Sequence, residues 1–272
     1  MDKTIIGFII PLLPSHKSNN WGEVCNSLNK TLQYLLNKNN KNYKVYVVCT
    51  DFPTNRIFER KIEWLQIPYP FQEFHEIPEK DRLIIDFKTD KMVVRRWDKA
   101  RKVTYGSSIA LTQGCSYIMS LDADDLLSKG FVDYIYNNHL GESVPGWVLD
   151  KGFVYKKGQK FLLKVPSNFF KFNGSTAILH KSLITIPSFV STNYLDYNLF
   201  TDHGWIFDRL HLEKGVLLKK LSLPFVIYVV HENNASDINR LVFGYSFKKL
   251  IKRLLYLRRI TKKIKSDFSI SN

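Results

Sequence analysis

Short apolar runs bounded by turn residues alternate with helical periodicity along the first half of the chain. Ile5 to Ile10 is an apolar run stopped by Pro11, the pattern of a buried strand. Trp21, Val24, Cys25, Leu28, Leu32, Leu35 and Leu36 recur at helical steps, which predicts a helix over Trp21–Leu36 with Asn19 or Asn20 as its cap. A polar turn at 39–42 leads into a second strand, Tyr43–Cys49, closed by Thr50-Asp51-Phe52-Pro53. Strand, helix and strand joined by short loops make a βαβ unit, the signature of an α/β sheet. The stretch 57–80 is broken by Pro68, Pro70 and Pro78 and reads as a short helix followed by irregular chain. A helix over Asp98–Thr112, a strand over Tyr117–Leu121 and a helix over Leu126–Asn138, with Ser128 as its cap, come next.

The second half has strand patterns at Gly146–Tyr155, Phe161–Val165, Thr176–His180 and Phe225–Val230, with a helix over Thr201–Glu213. The tail has its own period. Phe243, Phe247, Leu250, Ile251, Leu254, Leu255, Leu257, Ile260 and Ile264 mostly repeat at three- and four-residue steps with basic residues between them. This predicts one amphipathic helix of about 20 residues. The expected organisation is a domain over residues 1–240 followed by a basic helical tail over 241–272.

Composition narrows the class. The 272 residues are 44% hydrophobic and 24% charged, ordinary for a globular chain and unlike disordered or fibrous ones. No apolar run approaches the ~20 residues of a membrane-spanning helix. Residues 1–14 lack the pattern of a secretory signal. Cys25, Cys49 and Cys115 are too few and too scattered for a disulfide framework, which favours a reducing, cytoplasmic setting.

The net charge of +15 is unevenly spread. Lys248, Lys249, Lys252, Arg253, Arg258, Arg259, Lys262, Lys263 and Lys265 oppose the single acid Asp267 after residue 242, so more than half of the excess lies there. A cationic and apolar helix suits an anionic membrane surface, and residues 243–265 are expected to make a peripheral contact with the inner face of the membrane. Docking on the domain remains the alternative. Nucleic acid is disfavoured because the charge gathers on one element rather than on an aromatic-studded sheet.

The strongest chemical signal is Leu121-Asp122-Ala123-Asp124-Asp125 after an apolar strand. Three carboxylates within four positions repel one another unless they meet water, hydrogen-bond donors or a cation. In open α/β sheets ligands bind beyond the carboxyl ends of the strands. Hard oxygen donors suit Mg²⁺ or Mn²⁺, which also hold diphosphates. A turn whose aspartates cap a helix is the plainer reading.

The segment Tyr117–Asp125 resembles the Asp-x-Asp region of family 2 glycosyltransferases of GT-A fold. Three other features match in order: Ile9-Ile10-Pro11 closing the first strand, Asp51 closing the second, and the basic segment Asp98-Lys99-Ala100-Arg101-Lys102. Lys102 stands where the family often has Asn. The resemblance spans residues 4–235. It implies a Rossmann-type mixed sheet flanked by helices, and transfer of a sugar from a nucleoside-diphosphate sugar, UDP-sugar favoured, to a glycan or lipid-linked acceptor with inversion. It assigns Asp124 to the Mn²⁺ or Mg²⁺ ion, with Asp122 on the ribose or sugar. It also places Pro11 and Asp51 at the nucleotide, and Lys99 and Arg101 at the diphosphate. Gly174, in Phe172–Thr176, would lie under the donor sugar, His231 at the metal or diphosphate, and Asp202 would be the base that deprotonates the acceptor. A nucleotidyltransferase of similar fold is the alternative enzyme, against which the glycine-free Pro11–Pro14 loop counts. A non-enzymatic basic nucleic-acid- or membrane-binding protein is the alternative outside enzymes.

Overall fold

A computed structural model describes residues 5–79, 82, 89–139, 144–188, 191, 193, 196–230 and 255–270. A seven-stranded mixed sheet forms the centre, in the order β10-β6-β9-β4-β1-β2-β3. Its strands are β1 (Ile6–Pro11), β2 (Tyr43–Cys49), β3 (Ile62–Gln66), β4 (Tyr117–Ser120), β6 (Gly146–Leu149), β9 (Ala177–His180) and β10 (Lys219–Leu221). β3, β2, β1 and β4 run parallel, whereas β9 is antiparallel to both β4 and β6. A second sheet has the order β12-β8-β7-β11-β5, from β5 (Leu126–Leu127), β7 (Gly152–Lys156), β8 (Phe161–Val165), β11 (Val226–Val230) and β12 (Leu257–Arg259).

Alternation along β1 explains the layers. Phe8 and Ile10 join one core with Leu28, Leu32 and Leu35 of α1 (Trp21–Leu36). Ile9, between them, joins the opposite core with Trp97, Ala100 and Val103 of α2 (Asp90–Thr112). Helices thus cover both faces of the parallel strands, which is why those strands read as unbroken apolar runs. Gly106 sets the spacing on the α2 side. A Cβ there would stand 2.6 Å from Ile9 Cγ2 and 2.7 Å from Val48 Cγ2, so only glycine lets the helix sit this close. Among the described residues the other α-helices are α3 (Phe131–His139), α4 (Asn198–Thr201), α5 (Ile206–Lys214) and α6 (Lys262–Phe268). Among the described residues no helix is long and apolar enough to cross a membrane.

Several elements differ from the sequence pattern. Where the pattern predicts a short helix opening 57–80, β3 lies as an edge strand beside β2, and a 3-10 turn, Phe74–Glu76, follows it. α2 begins at Asp90, capped by Thr89, eight residues before the expected start. The strand expected over Gly146–Tyr155 is two strands in different sheets, split at Asp150-Lys151. Leu126–Leu127 pairs with β11, which delays the following helix to Phe131.

The tail differs most. Residues 243–254 lie outside the described set. Beyond them the helical period is overridden: Leu257–Arg259 pairs antiparallel with β8, and α6 starts at its Thr261 cap. The edge of β8 offers unpaired backbone groups that 257–259 satisfies. Ile260, Ile264 and Phe268 then pack on Leu162, Phe153 and Ile227.

Candidate active site

The chain passes from β1 to β2 and β3 on one side of β1, then returns to form β4 on the other side. This reversal is a topological switch point, and the crevice beyond the carboxyl ends of β1 and β4 is the expected ligand site of such a sheet. Pro11, Asp51 and Asp122 all end or follow strands at this edge.

Asp122 pairs with Lys99 of α2. Its backbone N–H donates to Ser175 Oγ at 2.8 Å, and Ser175 Oγ donates to Asp125 Oδ2 at 2.6 Å. Asn173 Nδ2 donates to the same Oδ2 at 2.6 Å. The loop 173–175 is therefore latched to the acidic turn at two points. Gly174 lies against the Lys99–Asp122 pair: a Cβ would approach Lys99 Nζ to 2.6 Å and Asp122 Oδ2 to 2.9 Å. Asp125 is fully buried, and its Oδ1 makes no hydrogen bond among the described residues. Burial, followed by the charges of Asp124 and Asp122, pushes its carboxyl well above the usual carboxylate range, against the pull of Ser175 and Asn173. Asp125 is a fastening residue in this structure, while Asp122 and Asp124 remain partly exposed. From behind, Thr31 of α1 donates to the carbonyl of Ala123 at 2.8 Å.

Asp202 reaches the same helix. It pairs with Arg96, one turn before Lys99, and its Oδ1 accepts the N–H of Gly204 at 2.9 Å. Arg96 and Lys99 share a face of α2 at i, i+3, so one helix holds both candidate acids. Sequence reading missed Arg96; its spacing to Lys99 was the available signal. Trp205, beside Asp202, is 58% exposed, and Phe172 in the adjoining loop is also exposed.

Asp51 is tied to the loop after β1. Its Oδ2 accepts the N–H of Ser15 at 2.9 Å and the hydroxyl at 2.8 Å. Burial alone would raise this carboxyl, but the Ser15 bonds, with His16 and Lys102, outweigh it and hold the pKa below the ordinary value.

Two basic residues do not join the acids. Arg101 is about 200° around the helix from Lys99. Its guanidinium stacks 3.8 Å from the Tyr69 ring centre, donates to Gln72 Oε1 at 2.8 Å, and is buried. Arg101, expected at the diphosphate, thus packs on the side of α2 away from the Lys99–Asp122 pair. Lys102 is also buried and donates to the carbonyl of Leu12 at 2.8 Å and to Asp98 Oδ2 at 2.7 Å, strapping α2 to the end of β1. His231 lies outside the described residues. Among the described residues no three His, Cys, Asp or Glu side chains gather into a complete metal cage. The oxygen donors that are present, the partly exposed Asp122 and Asp124, suit a divalent cation whose other ligands would come from a diphosphate and water.

No protein-family model and no curated protein matches this sequence. Solved structures with a similar chain path include S. aureus TarS 1–349 (TM-score 0.44, 13% identity, 83% of this chain and 60% of that one). A proposed nucleotide-diphospho-sugar transferase from Desulfovibrio desulfuricans G20 aligns with TM-score 0.41 and 10% identity over 93% and 95% of the two chains. Rv0371C of Mycobacterium tuberculosis H37Rv, in complex with manganese, aligns with TM-score 0.41 and 7% identity over 89% and 99%. The chain spans about 60% of the length of TarS 1–349. Scores of this size assign neither family nor activity.

Proposed function

We propose that this chain is a glycosyltransferase that takes a sugar from a nucleoside-diphosphate sugar, UDP-sugar favoured, and passes it to a glycan or lipid-linked acceptor. The observation that carries the reading is the meeting of three parts at the switch point: the acidic turn after β4, Lys99 from α2, and the Gly174 loop latched beneath both.

In this reading the nucleotide lies along the ends of β1 and β2, beside Pro11 and Asp51. Asp124 holds a Mn²⁺ or Mg²⁺ ion, which when bound neutralises charge on the diphosphate. Lys99 and Asp122 position the diphosphate and sugar, and the missing Cβ of Gly174 lets these two side chains lie against the loop beneath them. Asp202 accepts the proton of the acceptor hydroxyl as its oxygen bonds to the anomeric carbon and the bond to the diphosphate breaks, with inversion. Both Asp202 oxygens already accept one hydrogen bond, and each keeps a further lone pair for the acceptor. Arg96 fixes the carboxylate in place.

The test is nucleotide release from a panel of UDP-, GDP- and dTDP-sugars with Mn²⁺, Mg²⁺ or EDTA. Wild type is run beside Asp124→Asn, after both are shown to be folded by circular dichroism. The reading predicts slow, metal-dependent release from one donor, reduced about 100-fold or more in the variant. Equal release by both proteins, or none from any donor, contradicts it.

A further inference from the structure

We propose that the turn between β7 and β8 and the β12–α6 segment together form a docking surface for an anionic lipid membrane. The two segments are far apart in sequence and are brought together by the pairing of β12 with β8, in which Arg259 stands opposite Phe161. The backbone N–H of Ile260 also donates to the carbonyl of Lys160 at 3.0 Å. Lys156, Lys157 and Lys160 on one segment, and Arg259, Lys262 and Lys263 on the other, are all exposed. The one acid described in 255–270, Asp267, is turned away: it accepts from Ser128 Oγ at 2.8 Å and from the Lys129 N–H at 3.2 Å.

The structure changes how a basic tail can meet a membrane. The apolar residues that an amphipathic helix would insert, Ile260, Ile264 and Phe268, face the second sheet, and Phe268 is 3% exposed. What remains outward is a field of cations with the exposed Phe161 (47%) beside Arg259, and with Leu255 (67%) further back, before β12. A cationic field attracts anionic headgroups, and an aromatic side chain at its border suits the interfacial zone. Duplex DNA would also be drawn to the charge, but it offers nothing to Phe161 and Leu255. The surface is therefore assigned to lipid. Its binding is mainly electrostatic and falls off steeply with salt as the Debye length shrinks.

The experiment is vesicle co-sedimentation of the full chain with phosphatidylcholine alone and with a phosphatidylglycerol-rich mixture, at about 0.1 M and about 1 M salt. Duplex DNA is titrated in parallel. The variant is Lys157→Glu/Lys160→Glu/Lys262→Glu/Lys263→Glu, with Phe161→Ala as a second. Folding is checked by circular dichroism, and donor hydrolysis is measured as an independent control of the proposed active site. The expected result is binding to the anionic vesicles alone, lost at high salt and weakened about 10-fold or more by the charge reversals. Phe161→Ala should weaken it by a smaller factor at low salt. Three outcomes would overturn the proposal: no binding to anionic vesicles, binding unchanged by the reversals, or tighter binding to DNA than to vesicles at the same salt.

Discussion

Gly174 shows how one missing side chain shapes the site. Its absent Cβ would otherwise press on Lys99 Nζ and Asp122 Oδ2, the free ends of two flexible side chains. Those ends can retreat, so Gly174→Ala should fold with a melting temperature within about 2 °C of wild type. The retreat would shift the groups that face the donor by a fraction of an ångström to an ångström. Displacements of that size cost up to about 100-fold in rate, so donor hydrolysis should fall 10- to 100-fold. Steady-state hydrolysis beside a thermal melt checks both halves; an unchanged rate would remove Gly174 from the donor site. At this scale the sequence was readable where a residue's type and its neighbours agreed. The partial exposure of Asp122 and Asp124 could be expected because clustered acids after an apolar strand repel one another and seek water, hydrogen-bond donors or a cation. Arg101 could not be distinguished from Lys99, because the ring of Tyr69 that captures it lies 32 positions away in a stretch with no regular pattern. The burial of Asp125 was invisible for the same reason: its partners Asn173 and Ser175 are some 50 positions further along.

Among elements, α2 does the most positioning. It carries Arg96 and Lys99 to the two candidate acids and is strapped to β1 by Lys102. Its seat depends on Gly106. Alanine normally improves a helix interior by about 1 kcal/mol over glycine. At Gly106 the added methyl meets Ile9 and Val48, both confined within the sheet, and overpacking of this kind costs about 1–3 kcal/mol. Gly106→Ala should therefore destabilise the protein by up to about 2 kcal/mol. Gly22→Ala, on the exposed side of α1 with nothing closer than 3.5 Å, should be neutral or stabilising by up to about 1 kcal/mol. Urea denaturation of the pair reads the contrast, and a stabilised Gly106→Ala would refute the close-packing account. The elements legible in the sequence were those whose own pattern decides their state: β1, β2 and α1, all buried along a strong period. The start of α2 was also written in Val93, Val94 and Trp97 at helical steps, although the proline-broken stretch before it hid the boundary. β3 and β12 were not legible. Each is short and lies at a sheet edge, where pairing with a neighbour's backbone decides the state of a segment too brief to show a period.

For the whole molecule, the end of α1 and the C-terminal segment both fasten to the turn after the acidic cluster, the first through a buried amine and the second through Asp267. Lys38 of the α1 end is 1% exposed and donates to the carbonyl of Leu127, while Asp267 holds Ser128 and Lys129 alongside. Burial lowers the Lys38 pKa to about 7; Asp267 opposes this, and Lys129 and Lys41 add to it. The unfolded chain keeps this amine protonated up to about pH 10. Between these values the unfolded state binds more protons, so stability rises with pH through the window; below pH 7 the full cost of the buried charge is present. The slope attributable to Lys38 approaches ~1.4 kcal/mol per pH unit. Wild type should gain on Lys38→Met between pH 7 and about pH 8.5, read by denaturant midpoints. A constant difference between the two proteins would show that Lys38 does not titrate there.

The proposed function requires the acidic turn after β4 to bind a nucleoside diphosphate together with a divalent cation. Calorimetric titration of UDP into the full chain, with and without Mn²⁺, tests this most directly, with Asp124→Asn beside wild type and GDP and dTDP as comparators. The account predicts saturable binding of one nucleotide that needs the metal and is weakened about 10-fold or more by the substitution. Binding that ignores both the metal and Asp124, or no binding of any of the three nucleotides, would contradict it.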